Sequence, residues 1–130
     1  METASKMPAP DRNPETAAYW DAAREHRLLI KQCDSCGEPF HYPRALCPFC
    51  FSDSSWIEAS GEGTIYSYTI VHLRDEAYVL AYVALAEGPV MMTNIVTPDP
   101  QSVRIGQPVR VSFAPTMGED LAPVFVPVQP

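Results

Sequence analysis

From Gly61 onward the chain runs in short apolar bursts. Residues 64–71, 78–85, 90–96, 109–113 and 124–128 are rich in β-branched and aromatic side chains, the types that suit a pleated, half-buried surface. Glu87-Gly88-Pro89 reads as a turn between the second and third bursts, and residues 99–106 form a longer connection after the third, with room for one helical turn. Five short strands with one long crossing predict a five-stranded Greek-key barrel of the OB type. A small sandwich or an SH3-like barrel shares that pattern.

The pattern ahead of Gly61 is different. Residues 14–27 are rich in Ala and Glu and place Tyr19, Trp20, Ala23 and Arg27 at spacings of three and four, which predicts an amphipathic helix. Asn13 followed by Pro14 supplies an N-cap and a first-turn proline. The aromatic pair Tyr19-Trp20 then buries against the rest of the chain or docks on a partner subunit. Residues 28–30 should be a short strand leading into Cys33. Residues 33–60 show little regular patterning, with Pro39, Pro43 and Pro48 and few apolar residues in series. The expected divisions are a disordered tail over 1–12, helix and lead-in strand over 13–32, a metal-built ribbon over 33–60 and the barrel over 61–130.

The chemistry lies in the unpatterned stretch. Cys33-Asp-Ser-Cys36 and Cys47-Pro-Phe-Cys50 are two CxxC pairs with ten residues between them. Each pair sets two sulfurs on one side of a tight turn, and two facing turns make a tetrahedral four-sulfur cage. Gly37 follows the first pair, where a positive φ lets amides approach the sulfurs. Thiolate ligands in that geometry select zinc, with a single iron as the alternative. Thiolates fill all four positions, so the metal is expected to be structural. Disulfides are the competing use of four cysteines. His41, inside the loop, reads as a packing or surface residue rather than a ligand.

Charge and composition narrow the function. The 130 residues carry a net charge of −7. Residues 1–32 are neutral, 33–60 carry −3 and 61–130 carry −4. One divalent ion on four thiolates takes the total to about −9. Such a surface repels phosphate chains. The first residues have no apolar core, and the longest strongly apolar run, 79–86, is far short of the roughly 20 residues that span a bilayer. A cytoplasmic protein without a membrane segment is expected. No phosphate-binding glycine loop, GxSxG or HExxH is present, and every thiol is committed to metal.

Taken in order, these features resemble the DUF35 family of acyl-CoA-associated zinc-ribbon and OB-fold proteins. The likeness runs from about 14 to 128: Tyr19-Trp20 in a helix, LLIKQC at 28–33, Cys33-x2-Cys36-Gly37, YPR at 42–44, Cys47-Pro48-x-Cys50, SGEGTIYSYTIVH at 60–72, EGPVMMTNIV at 87–96 and IGQPVRVSF at 105–113. Phe51 departs from the pattern, standing where Gly often follows the last Cys. The resemblance implies a mainly β fold, with an N-terminal helix and a rubredoxin-like zinc ribbon set on an OB barrel. It also implies a non-catalytic accessory or scaffold subunit that associates with a thiolase-superfamily or MaoC-like hydratase enzyme and binds acyl-CoA.

Cationic groups suited to CoA phosphates sit ahead of the barrel, at Arg24, Arg27, Lys31 and Arg44. The first three share a face if the helix persists to Lys31; otherwise they are solvated or paired with Glu25 and Asp21. Tyr68, Thr69 and the seam between ribbon and barrel are the expected place for a pantetheine arm. The alternative function is a single-stranded nucleic-acid-binding OB module in which Tyr66 and Tyr68 stack bases. Packing of these tyrosines across the barrel or against the ribbon is the preferred reading.

Overall fold

A computed structural model describes residues 8–128. Helix α1 (Ala17–Arg24) is followed by β1 (Leu29–Cys33), β2 (Pro39–Phe40), β3 (Ser54–Glu58), β4 (Glu62–His72), β5 (Ala77–Leu85), β6 (Val90–Ile95), a 3-10 turn (Pro100–Ser102), β7 (Pro108–Pro115) and β8 (Leu121–Pro127). The fold is mainly β, as expected. A three-stranded antiparallel sheet of order β2-β1-β3 sits beside a closed barrel of order β4-β5-β6-β8-β7.

The helix is shorter than the predicted 14–27. Asn13 still acts as a start signal: its side-chain oxygen accepts from the amides of Glu15 and Thr16 at 2.9 and 3.1 Å. Its carbonyl also accepts from the amide of Ala17. At the far end His26 takes φ 62°. The amides of His26 and Arg27 then bond back to the carbonyls of Ala23 and Ala22, the paired bonds of a Schellman stop. The chain reverses there, so the helix does not persist to Lys31, which lies in β1. Strand β3 was not legible in the sequence, because its residues pack only after β1 pairs along their whole length, Leu29 against Glu58 through Cys33 against Ser54.

One hydrophobic core joins all the parts. Tyr19 of α1, Leu28, Ile30 of β1 and Ala59 cluster with Ile65, Val79, Val83, Val109 and Phe125 of the barrel. Ile30, Val83 and Phe125 are fully buried. The chain passes from sheet to barrel through Gly61 at φ 85°, where a Cβ would meet Val111 Cγ1 at 2.5 Å. Only glycine combines that backbone conformation with so close an approach.

The barrel closes unevenly. Strands β4 and β5 pair along their length with a bulge at Tyr66, and β7 pairs with β8 over seven positions. The parallel β6–β8 seam has a single register pair, Ile95 with Phe125. The Phe125 carbonyl faces β6, where it accepts from Val96. Backbone groups alternate sides along a strand, so Pro123 and Pro127 also face β6, and neither has an N–H to offer. Backbone pairing therefore thins on either side of Phe125, and the Thr93 hydroxyl of β6 donates to the Pro123 carbonyl of β8 at 3.3 Å across the same seam. The expected packing of Tyr66 and Tyr68 is not seen: Tyr66, at the bulge, is 65% exposed and Tyr68 36%.

The two ends of the described chain are clasped. Of the tail expected to be disordered, residues 1–7 lie outside the described residues. Arg12 grips Asp120 through its Nε and Nη2 nitrogens, with Nη2 to Oδ1 at 2.7 Å, and Arg24 Nε reaches the same Oδ1 at 3.0 Å. The two guanidinium groups, Arg12 foremost, hold the Asp120 carboxyl below its usual range. Asp120 is nearly buried while Arg24 is half-exposed, so losing the carboxylate strands no cation in the interior. Asp120→Asn is expected to cost about 1–2 kcal/mol, read as a melting temperature lower by roughly 4–8 °C. A melting temperature within a degree of the parent's would show that the clasp contributes nothing.

Candidate functional site

The four cysteines meet. Cys33 ends β1, Cys36 follows in the turn, and Cys47 and Cys50 flank the facing turn. Their sulfurs lie within 4.8 Å of one another, with Cys33 to Cys50 at 3.4 Å and Cys36 to Cys47 at 3.9 Å. A tetrahedral ion with metal–sulfur bonds of about 2.3 Å requires edges of about 3.8 Å. The donor set fits a metal in size and in chemistry.

The backbone is arranged for thiolates. The amides of Ser35 and Cys36 donate to the Cys33 sulfur at 3.3 and 3.2 Å, and the Phe49 amide donates to Cys47 at 3.3 Å. Donation from the Cys36 amide lowers the Cys33 thiol. Hydrogen bonds from Ser52 lower Cys50 to about 6. At Cys36 the Glu38 amide also lowers the thiol, but its three sulfur neighbours and burial outweigh it and push it up to about 12. Four crowded sulfurs cannot all ionise unaided, and a divalent cation removes that conflict.

Gly37 has φ 78°, as its position predicts, and Phe51 takes the equivalent conformation at 64° in the second turn. There the Phe51 amide bonds the Cys47 carbonyl at 2.9 Å, and the Cys47 amide bonds the Ser52 carbonyl. The Phe51 ring is 76% exposed. Its neighbours Phe49 and Leu46 are also exposed, so the second turn presents apolar groups outward.

His41 is a packing residue. Its Nε2 lies 3.1 Å from the Tyr19 hydroxyl, and burial lowers its pKa to about 4. Tyr19 is buried, its hydroxyl pushed above its usual range by the same desolvation. Half-buried Trp20 packs edge-on to the Tyr19 ring at 5.0 Å. The aromatic pair thus lies within this chain, against the ribbon loop and the barrel.

The expected cations are dispersed. Arg24 is paired with Asp120 and Arg27 with Glu58 and Glu25. Lys31 is nearly buried, its ammonium 4.5 Å from the centre of the Trp56 ring. Arg44 is exposed on the loop between the cysteine pairs and makes no ion pair among the described residues. Tyr68 and Thr69 are exposed on β4, opposite Ala81 and Leu80 of β5. The structure does not gather these six residues into one site. At the seam between ribbon and barrel a cleft of about 460 Å³ lies between α1, the ribbon loop, and β5, β6 and β8, lined by residues including Trp20, Tyr42, Tyr82 and Met92. Its far wall, Val90 to Met92 and Ala122 to Pro123, was not legible in the sequence, because the parallel β6–β8 neighbourship depends on barrel closure.

Comparison with known proteins gives a consistent answer. Residues 20–55 match the family model described as the ChsH2 rubredoxin-like zinc ribbon domain, and 56–114 match the ChsH2 C-terminal OB-fold domain. The chain is 36% identical over 129 residues to a "probable enoyl-CoA hydratase alpha subunit" of Thermomonospora curvata, covering 95% of this chain. It spans only 40% of that relative's length. It is 32% identical over 111 residues to a "DUF35 domain-containing scaffold protein" of Methanocaldococcus jannaschii, covering 78% of this chain and 79% of that one. A solved structure described as "Ltp2-ChsH2(DUF35) aldolase" superposes with a TM-score of 0.81 at 36% identity, covering 92% of this chain and 98% of that one.

Stripping the metal with a chelator is expected to abolish amide protection over 33–50 while the barrel strands keep theirs. Retained protection in the ribbon would mean that the thiol cluster is not what holds it. Phe51→Gly should relieve the left-handed strain and slow metal loss to the chelator by roughly 2–5-fold. His41 gives a pH signature. Its folded pKa is below the unfolded 6.5, so its stabilising effect is complete above that value and declines as pH falls towards about 4. Between pH 7 and 5.5 unfolding free energy should drop by about 1 kcal/mol more in the parent than in His41→Gln.

Proposed function

The chain belongs to the DUF35 family of ChsH2-type zinc-ribbon and OB-fold proteins, and on that footing we propose that it is a non-catalytic subunit of an acyl-CoA-processing enzyme assembly. The observation that carries this reading is the superposition of nearly the whole chain on the DUF35 chain of an aldolase assembly. Relatives described as scaffold proteins support a non-catalytic role. Zinc is the proposed metal: four thiolates in a closed tetrahedral cage leave no position for water or substrate, so the ion orients the ribbon rather than reacting. Two outward phenylalanines, and an arginine with no ion pair among the described residues, then stand on that loop.

The proposed partner is a thiolase-superfamily or MaoC-like hydratase subunit, and the proposed ligand is the acyl-CoA on which that subunit acts. Of the candidate cations, Arg44 is free to meet a CoA phosphate directly. Arg24 and Arg27 would first exchange a carboxylate for it, and Lys31 is covered by Trp56. Tyr68 and Thr69 lie on exposed barrel surface, where a pantetheine arm crossing from the partner would find a phenol and a hydroxyl.

The test is affinity purification of a tagged copy from its native host, with co-purifying subunits identified by mass. Recovery in fixed ratio of a thiolase-like or hydratase-like enzyme is the expected result. Recovery of single-stranded nucleic acid, or of the chain alone turning over a substrate, would refute the reading. In the assembled complex Arg44→Ala should weaken acyl-CoA binding by roughly 5–10-fold, the loss of one charge-assisted contact. Unchanged affinity would remove Arg44 from the site.

A further inference from the structure

Outside the thinly paired β6–β8 seam lies a cleft that α1 and the ribbon loop border. Its volume of about 460 Å³ falls within the range of small-molecule sites. Tyr19, Trp20, Tyr42 and Tyr82 contribute rings, Met92 lies on the barrel side, and Pro123 of β8 completes the wall. We propose that this cleft binds an uncharged, largely apolar small molecule that carries a hydrogen-bond acceptor.

The class follows from the lining. Among the described residues no Asp, Glu, Lys or Arg borders the cleft, so an ionic ligand would lose its hydration without compensation. His41, the one titratable nitrogen there among the described residues, is kept neutral by burial. The aromatic rings and methionines offer broad apolar contact, and methionine adapts to irregular shapes. Trp20 supplies the polar requirement. Its Nε1 is closed off from water and has no acceptor among the described residues, an unfavourable state for a buried donor. An acceptor carried by the ligand satisfies it once the indole turns towards the cleft. A phosphorylated carrier would have to remain outside, with only a neutral group entering.

This inference goes beyond the subunit reading and does not depend on it, since a chain with a blocked cleft could still assemble and an unpartnered chain could still bind. The probes are benzophenone and diphenylmethane, of nearly equal size and differing by one carbonyl, each measured by equilibrium dialysis against the full chain. Benzophenone is expected to bind at one site per chain, roughly tenfold tighter than diphenylmethane. Met92→Glu, at a position 57% exposed on the rim, should weaken benzophenone at least tenfold without lowering the melting temperature. Trp20→Phe keeps a ring in place and should abolish the preference between the probes. Absence of saturable binding overturns the proposal, as does benzophenone affinity that Met92→Glu leaves unmoved. So does a Met92→Glu variant whose only defect is assembly with the partner enzyme, which would make the cleft a protein seat. A preference that survives Trp20→Phe overturns the assignment of the acceptor.

Discussion

Four sulfurs converging on one point are the constraint from which the ribbon follows. The apolar cluster local to it consists of Cys33, Phe40 and Cys47, too little burial to order two loops. With a cation in place the two turns become cross-linked, and their amides donate to charged sulfurs instead of facing water. That accounts for a left-handed residue in each turn, and for one of them being Phe51: coordination free energy is large compared with the roughly 1–2 kcal/mol of left-handed backbone. The metal also sets where Arg44 and the exposed phenylalanines stand.

The ribbon does not hang free of the barrel. Ile30 and Leu28 precede Cys33 directly and lie in the same core as Val83 and Phe125, so the metal centre is built on a strand whose other end is held by hydrophobic burial. Metal loss therefore damages the loops first. The barrel has its own asymmetry. Antiparallel pairing is dense around most of the circumference and thins to one register pair at the parallel seam. Helix α1 lies against β8 and β1, which places its aromatic residues beside that thinly paired seam.

The sequence showed what depends on local order. Runs rich in β-branched and aromatic residues revealed the five barrel strands to within a few residues, and the two CxxC pairs revealed the donor set. Asn13-Pro14 marked the helix start. What it hid depends on partners distant along the chain. The stop at His26 has no glycine to announce it, and β3 has no distinctive run before β1 pairs with it. The bulge at Tyr66 arises where β4 and β5 lose step, and neither Tyr66 nor Tyr68 takes the packed position expected of it. The candidate cations looked like one basic face, but two are neutralised by Asp120 and Glu58. These carboxylates lie 96 and 31 positions away along the chain. Charge read along a chain cannot reveal such pairings.

The clasp between Arg12 and Asp120 spans 108 positions, and it makes one end of the fold conditional on the other. An eight-residue helix is not stable by itself in water. The order of α1 is therefore borrowed from β8, against which it packs, and from the carboxylate just ahead of that strand. Whenever β8 peels away from the barrel, the aromatic face of α1 is laid bare and Arg12 and Arg24 lose Asp120 together. Helix and strand thus open and close as one unit, and a local loosening of β8 is felt at residue 12.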